Sequence, residues 1–193
     1  MRKRIGVICV FLGIVCILSS FGFVVYNRWE DKNAEKIAQS LLEDVQNIID
    51  ENPPGPGHTE MATVGVDGYD CIGILSIPVL DLELPVLTDW SYAKLKKAPC
   101  HYYGTYYEKD FVIAAHNYKA HFGRLSELQT GDPVIFTDVG GTVHCYEVVA
   151  LETLPQNATG DMIASGFDLS LYTCTPGGSN RVTVRCNATQ ASN

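Results

Sequence analysis

Behind a basic Met1-Arg2-Lys3-Arg4 start, the chain runs from Ile5 to Tyr26 without a charged side chain. A helix of roughly 20 such residues is long enough to cross the hydrocarbon core of a bilayer. A secretory signal also opens with a basic stretch, but its apolar part is usually about 7–15 residues and closes on a small-x-small cleavage site. Ser20-Phe21-Gly22 has that form, yet the apolar run continues beyond it through Phe23-Val24-Val25. Neither Cys9 nor Cys16 follows a small residue, which argues against a lipid-modified cysteine. The segment 5–26 is therefore expected to be an uncleaved single-pass anchor. Arg2, Lys3 and Arg4 would keep residues 1–4 cytoplasmic and leave the rest of the chain outside.

The remainder is acidic. Three of the 14 basic residues and none of the 22 acidic ones precede Arg28, so the chain from there onward carries a net charge of −11. That field disfavours a polyanion, and nucleic acid is not an expected partner. At 46% hydrophobic residues the chain is also too apolar for disorder. Of the seven cysteines, Cys71, Cys100, Cys145, Cys174 and Cys186 lie beyond the anchor. An odd count outside the cell points to a reactive thiol or an intermolecular bridge. No CxxC or zinc-type Cys/His spacing occurs.

After the anchor, Ala34, Ile37, Ala38, Leu41, Leu42, Val45, Ile48 and Ile49 recur at the spacing of one helical face, predicting a helix over 33–50. It would serve as a spacer lying against the domain or as an arm covering part of it. Glu51-Asn52-Pro53-Pro54-Gly55-Pro56-Gly57 ends it, because proline cannot continue the ladder, and the loop is expected to run on to about Gly68. The division is thus 1–4 tail, 5–26 anchor, 27–69 arm and linker, and 70–193 folded domain. Within that domain, strands are expected at 71–75, 80–84, 111–115, 133–137, 142–153, 169–173 and 181–186. Asp138-Val139-Gly140-Gly141 reads as a hairpin turn. Trp90 to Lys97 and Arg124 to Leu128 read as short helical turns. Many short strands with turn signals predict a closed or nearly closed antiparallel barrel.

A cysteine enzyme needs a thiol, a base for its proton and a donor for the oxyanion. Cys174 ends the strand Ser170-Leu171-Tyr172-Thr173-Cys174 and precedes a Pro-Gly-Gly turn, where a thiol is held yet accessible. A hairpin would return Arg181 towards it. Arg185 alternates onto the same strand face, so by spacing either arginine could reach the thiol. His116 ends the apolar run Phe111-Val112-Ile113-Ala114-Ala115. Spacing alone does not single out this Cys/His pair.

Four stretches in order do. Ile72-Gly73-Ile74-Leu75-Ser76-Ile77-Pro78 with Leu82-Glu83-Leu84-Pro85-Val86 resembles the IGxLxIPxxxLxLPV opening of the sortases, membrane-anchored cysteine transpeptidases of Gram-positive bacteria. Ala114-Ala115-His116-Asn117 is similar to their GHN/GHR segment, with Ala in place of Gly. Phe122-Gly123-Arg124-Leu125, Leu128 and Gly131-Asp132 resemble FxxL..L..GD. Ser170 to Cys174 resembles TLxTC, with Ser for the first Thr. The resemblance covers roughly residues 70–186.

It implies an all-β, eight-stranded sortase barrel with few short helices behind the anchor and arm. Cys174 would be the nucleophile, His116 the proton-transfer residue and Arg181 the electrophilic stabiliser, with Thr173 a candidate substrate contact. Arg181 is chosen over Arg185 because it matches the first arginine of CTPxGxNxHRLxVRG, allowing for a turn two residues shorter; Arg185 matches the second, structural one. The substrate implied is a surface protein with an LPxTG-like sorting signal, and the acceptor a cell-wall precursor amine or a pilin lysine. No cofactor is expected; a calcium site near Glu152 and Asp161 rests on two scattered acids. The absence of a second apolar span, of an Asp-Pro-aromatic lid motif and of a long insertion between Thr153 and Leu169 favours a class A, D or E-like form. A non-catalytic wall-binding module and a secreted cysteine protease are the alternatives; no papain-like cysteine lies near the start of the domain. His101, His121 and His144 are expected in loop, wall or sheet roles. Cys71, Cys100, Cys145 and Cys186 could supply two bridges. Tyr102, Tyr103, Tyr106 and Tyr107 form a cluster that either lines a groove or is ordinary surface. The sequons at Asn157 and Asn187 carry no weight in a bacterium.

Overall fold

The computed structural model describes residues 2–51 and 61–189, so the Pro/Gly-rich linker expected at 51–57 falls almost wholly outside the described residues. The chain divides into two compact units, Met1–Asn33 and Ala34–Asn193. Helix α1, Arg2–Glu51, contains both the apolar run and the expected arm. In the first unit the apolar side chains from Val7 to Val25 are exposed, and the helix is long and apolar enough to cross a membrane.

In the second unit, Ala34, Ala38, Leu41, Val45 and Ile49 are buried, the i, i+4, i+3 stripe read from the sequence. Leu41, Val45 and Ile49 pack with Val66, Cys71, Ile74, Leu87, Ala98 and Cys100. This part of α1 is thus an arm that covers the wall of the folded domain.

Among its described residues that domain has nine strands: β1 Val64–Val66, β2 Tyr69–Ile77, β3 Leu82–Leu87, β4 Cys100–Tyr103, β5 Phe111–Ala114, β6 Pro133–Asp138, β7 Val143–Pro155, β8 Leu169–Cys174 and β9 Asn180–Ala188. Their order is β1-β2-β3-β4-β5-β8-β9-β7-β6, and β6 also pairs with β2. The ring β2-β3-β4-β5-β8-β9-β7-β6 therefore closes as an eight-stranded barrel, with β1 a flanking hairpin strand on β2. Two neighbours, β3–β4 and β5–β8, are parallel, so the barrel is not the wholly antiparallel one expected. Parallel neighbours need a crossover, which the chain from Ala115 to Asp168 supplies for β5–β8. Alternate strand residues fill the interior, among them Ile72, Leu75, Phe111, Ile113, Phe136 and Leu171. Short helices α2 (Tyr92–Leu95) and α3 (Thr159–Ile163) stand outside the wall.

Candidate active site

The site is built by register. On β5 and β8, Ala114 is level with Tyr172, and the Ala115 amide carries the pairing further by donating to the Tyr172 carbonyl at 3.1 Å. The registered pairs end there; His116 lies two residues beyond Ala114, past the end of β5, and Cys174 ends β8 two residues beyond Tyr172. On the other side of β8, Cys174 is registered with Arg181 of β9. Cys174 and Arg181 thus stand in one row across β8 and β9, and the segment that leads to His116 continues β5 on the other side of β8. The Thr173 hydroxyl fixes the row's height: it donates to the Ala115 carbonyl at 2.9 Å, buried beneath the surface. Thr173 therefore ties the histidine segment to the cysteine strand, and it does not line the groove above.

Since Ile113, Leu171, Val182 and Val184 face the core, Ala114, Tyr172, Cys174 and Arg181 lie on the outer face of the wall. There they floor an open groove of about 180 Å³. One side is aromatic: Trp90 lies 5.9 Å from Tyr92 and 5.5 Å from Tyr102, which in turn sits 5.3 Å from Tyr172. Leu95 of α2 completes that side, and Pro155, Ala158, Thr159 and Met162 form the other. Burial and neighbouring Tyr102 push the Tyr172 phenol above its ordinary range, with Arg181 opposing, so it is neutral beside the thiol.

The β8–β9 connection shows why a Pro-Gly-Gly sequence is needed. Gly177 and Gly178 adopt φ of +85° and +76°, a left-handed pair that side chains disfavour. The Gly178 amide donates to the Thr175 carbonyl at 2.8 Å, and the Asn180 amide donates to the Thr175 hydroxyl at 3.2 Å. This turn receives Arg181, whose Nη1 donates to the Gly178 and Asn180 carbonyls at 2.9 and 3.0 Å. Its Nε and Nη2 make no hydrogen bond among the described residues and are available to a ligand.

Arg185, on the same strand face, is spent differently. It is buried: Nε donates to Glu152 Oε2 at 3.1 Å, Nη1 to Ser170 Oγ at 2.9 Å and Nη2 to the Asp161 carbonyl at 2.6 Å, and its guanidinium lies over the Phe167 ring. Of the two arginines left open by spacing, only Arg181 lines the groove. Of the two acids considered for calcium, Glu152 pairs with this guanidinium through its carboxylate, and Asp161 accepts from it through its backbone carbonyl. Among the described residues no group of three His, Cys, Asp or Glu side chains could hold a metal.

All seven cysteines are free thiols. Cys71 and Cys100 are each registered with Leu87, on opposite sides of β3. They stand two strand spacings of about 4.8 Å apart, beyond the reach of a disulfide. Burial pushes their thiols up to about 11 and about 12, and that of Cys186 to about 12. Of the tyrosine cluster, only Tyr102 lines the groove; Tyr106 and Tyr107 border a separate cavity beside His144 and Cys145. The His101 ring nitrogens face the Thr88 and Gly104 carbonyls, His144 faces Asp138 at 3.3 Å, and His121 is fully buried. Apart from Tyr102, the groove walls were not among the residues singled out in the sequence. Trp90 and Tyr92 flank Ser91, whose side chain caps α2 by accepting from the Lys94 amide, a signal open to detection. The five-residue α3, with Gly160 inside it, gives none.

The model of the sortase domain matches residues 75–189, and the chain belongs to the sortase family. Sortases are membrane-anchored cysteine transpeptidases acting on surface proteins with sorting signals and on pilins. Solved structures of the same fold include a Clostridium perfringens sortase D5 transpeptidase, at 17% identity and TM-score 0.62 over 80% of this chain and 99% of that one. Sortase C1 of Streptococcus agalactiae is similar at 23% identity and TM-score 0.60, over 76% of this chain and 77% of its own. A lid mutant of Corynebacterium diphtheriae sortase A follows at 22% and 0.56, over 80% and 94%. No curated protein matches the sequence.

Proposed function

We propose that this sortase cleaves an LPxTG-like sorting signal through a thioacyl intermediate on Cys174 and passes the acyl group to a cell-wall precursor amine or a pilin lysine. The observation that carries the reading is the strand register: Cys174 is paired with Arg181 on one side, the segment leading to His116 continues the strand paired on its other side, and Cys174 and Arg181 line an open groove. The Cys174 sulfur adds to the Thr carbonyl carbon, its proton passing to His116. Arg181, with two unused donor groups, stabilises the oxyanion. The Thr–Gly bond then breaks as His116 protonates the leaving amine. In the second half the acceptor amine adds to the thioester, gives its proton to His116, and sulfur leaves. Neither step uses a cofactor. The apolar and aromatic walls suit the Leu-Pro part of such a signal. Because α3 is only five residues long, no long helix stands before the catalytic strand among the described residues, and we place the enzyme among class A, D or E-like forms.

The test is the full chain in detergent with a fluorogenic LPxTG-type peptide, with and without an added amine. Slow hydrolysis that becomes transpeptidation when amine is added supports the reading. Products indifferent to amine point to a protease, and binding without cleavage to a wall-binding module. Cys174→Ala and His116→Ala should each abolish turnover while the chain remains folded; a Cys174→Ala enzyme that still turns over removes the mechanism.

A further inference from the structure

We propose that Tyr118 is a positioning residue of the reaction: its ring, stacked on the imidazole of His116, holds that ring in the plane from which it gives and takes protons. The inference rests on the reading of His116 as the proton-transfer residue. The two ring centroids are 4.0 Å apart and the planes 20° from parallel, the one stacked ring pair among the described aromatic contacts. Residues two apart in a chain meet face to face only if the backbone folds back between them, and the loop after β5 is built to do so. The Tyr118 carbonyl accepts from both the His121 and the Gly123 amides, at 3.0 and 2.8 Å, and the Phe122 amide donates back to the His116 carbonyl at 3.2 Å. Phe122 is fully buried and fastens the far end of the coil in the core. The coil has no spare room, since a Cβ on Gly123 would lie 2.6 Å from the Asn117 carbonyl and 2.7 Å from that of Tyr118.

A histidine that moves protons must aim an N–H within its own ring plane at two different amines in turn. His116 follows β5, the strand paired with the one that ends at Cys174. The rotation that would spoil its aim is about the bond to the ring, a broad torsion with no strong preference of its own. A flat ring stacked on one face restrains that rotation without itself occupying the ring edge, where Nδ1 is buried. The stacking depends on the aromatic ring and not on the phenol oxygen, so Phe should serve and an aliphatic side chain should not. Because the same imidazole acts in both half-reactions, the loss should appear in acylation and in resolution alike.

The experiment uses the full chain in detergent, with Tyr118→Leu and Tyr118→Phe, assayed on one LPxTG-type peptide. Selectively labelled histidine reports the His116 ring protons by NMR. Misplacing a catalytic group by an ångström costs up to about 10²-fold. Tyr118→Leu is therefore expected to lower kcat roughly 10- to 100-fold with KM within about threefold, and to abolish the upfield ring-current shift of His116. Tyr118→Phe should keep the shift and restore most of the rate. Should Tyr118→Leu not fold, Tyr118→Met makes the same comparison. A normal kcat in the aliphatic variant, a change confined to KM, or a Phe variant as slow as Leu would each overturn the clamp. His116→Ala, run alongside, separates the two ideas: if it is inactive while Tyr118→Leu is normal, only the clamp falls. If His116→Ala is itself active, the proton-transfer reading falls first.

Discussion

Arg181 and Arg185 show how four residues along one strand separate chemistry from architecture. Arg181→Lys replaces a fork of fixed donors by a single ammonium, and the loss of one oxyanion donor costs on the order of 10²–10³ in kcat. Its melting temperature should barely move, because its protein partners are two turn carbonyls. For chemistry Arg185→Lys should be the milder change, since Arg185 does not line the groove. For stability it should not: the lysine leaves Glu152, Ser170 Oγ and the Asp161 carbonyl short of donors. We expect a loss of roughly 2–3 kcal/mol, below the full cost of a broken buried pair because Glu152 is 40% exposed. Thermal melts and steady-state kinetics on both variants check this; an Arg185→Lys chain that melts with the parent, or a normal rate in Arg181→Lys, would contradict it. Thiol reactivity should divide similarly. At about pH 8 the raised thiols Cys71, Cys100 and Cys186 should resist alkylation in the folded chain, read by peptide mass spectrometry. Cys174 stood out as a candidate because punctuation surrounds it, an apolar strand before and Pro-Gly-Gly after, but only the four sortase-like stretches in order singled it out. Tyr118 was not legible, because its stacking on His116 arises from a coil whose hydrogen bonds leave no periodic mark.

The strands that were read correctly at the level of elements are those long enough to alternate, such as β2, β7 and β9. Those overlooked, β1 and β4, have three and four residues, and β4 meets β3 at a single registered pair; β5 is as short as β4 but was read because all four of its residues are apolar. The parallel β5–β8 pairing, which brings the segment leading to His116 beside β8, joins segments more than fifty residues apart and leaves no local signal. One residue outside the groove holds that crossover. Asp110, just before β5, accepts from the Ser165 and Gly166 amides, both at 2.8 Å, and from the Ser165 hydroxyl at 3.0 Å. Burial pushes its carboxyl up, but the bonds from Gly166 and Ser165 outweigh that and hold it below the usual carboxylate range. A depressed folded value stabilises the fold above the unfolded value of about 3.9 and is lost as pH falls through the folded one. Asp110→Asn should therefore melt lower than the parent at neutral pH, with the gap closing below about pH 4. A gap independent of pH would refute this account. The arm offers a second test. Leu41 is fully buried against the cluster that also supports Leu95, a residue of the groove wall. Leu41→Ala should cost about 2–5 kcal/mol and raise the peptide KM more than it lowers kcat.

At the scale of the whole molecule, the sequence separates two solvents. From Ile5 to Tyr26 nothing is charged, whereas from Arg28 onward the chain carries 22 acidic residues against 11 basic ones. The exposed apolar side chains of α1 between Val7 and Val25 would be costly in water and are favourable in hydrocarbon. We propose a single-pass protein with Arg2, Lys3 and Arg4 in the cytoplasm and the barrel outside, where its surface-protein substrates would be. The charges decide orientation through the short basic tail, since acidic residues contribute little. Two measurements test this. Alkaline carbonate should leave the full chain in the membrane pellet. Protease added to intact wall-free cells should digest the barrel and spare a tag placed before Arg2. The triple substitution Arg2→Glu, Lys3→Glu and Arg4→Glu should weaken that protection by making the inverted topology competitive. A barrel protected from outside, or a tag digested from outside in the parent chain, would reverse the topology. A protein recovered with its N-terminus near Phe23 would replace the anchor by a cleaved signal.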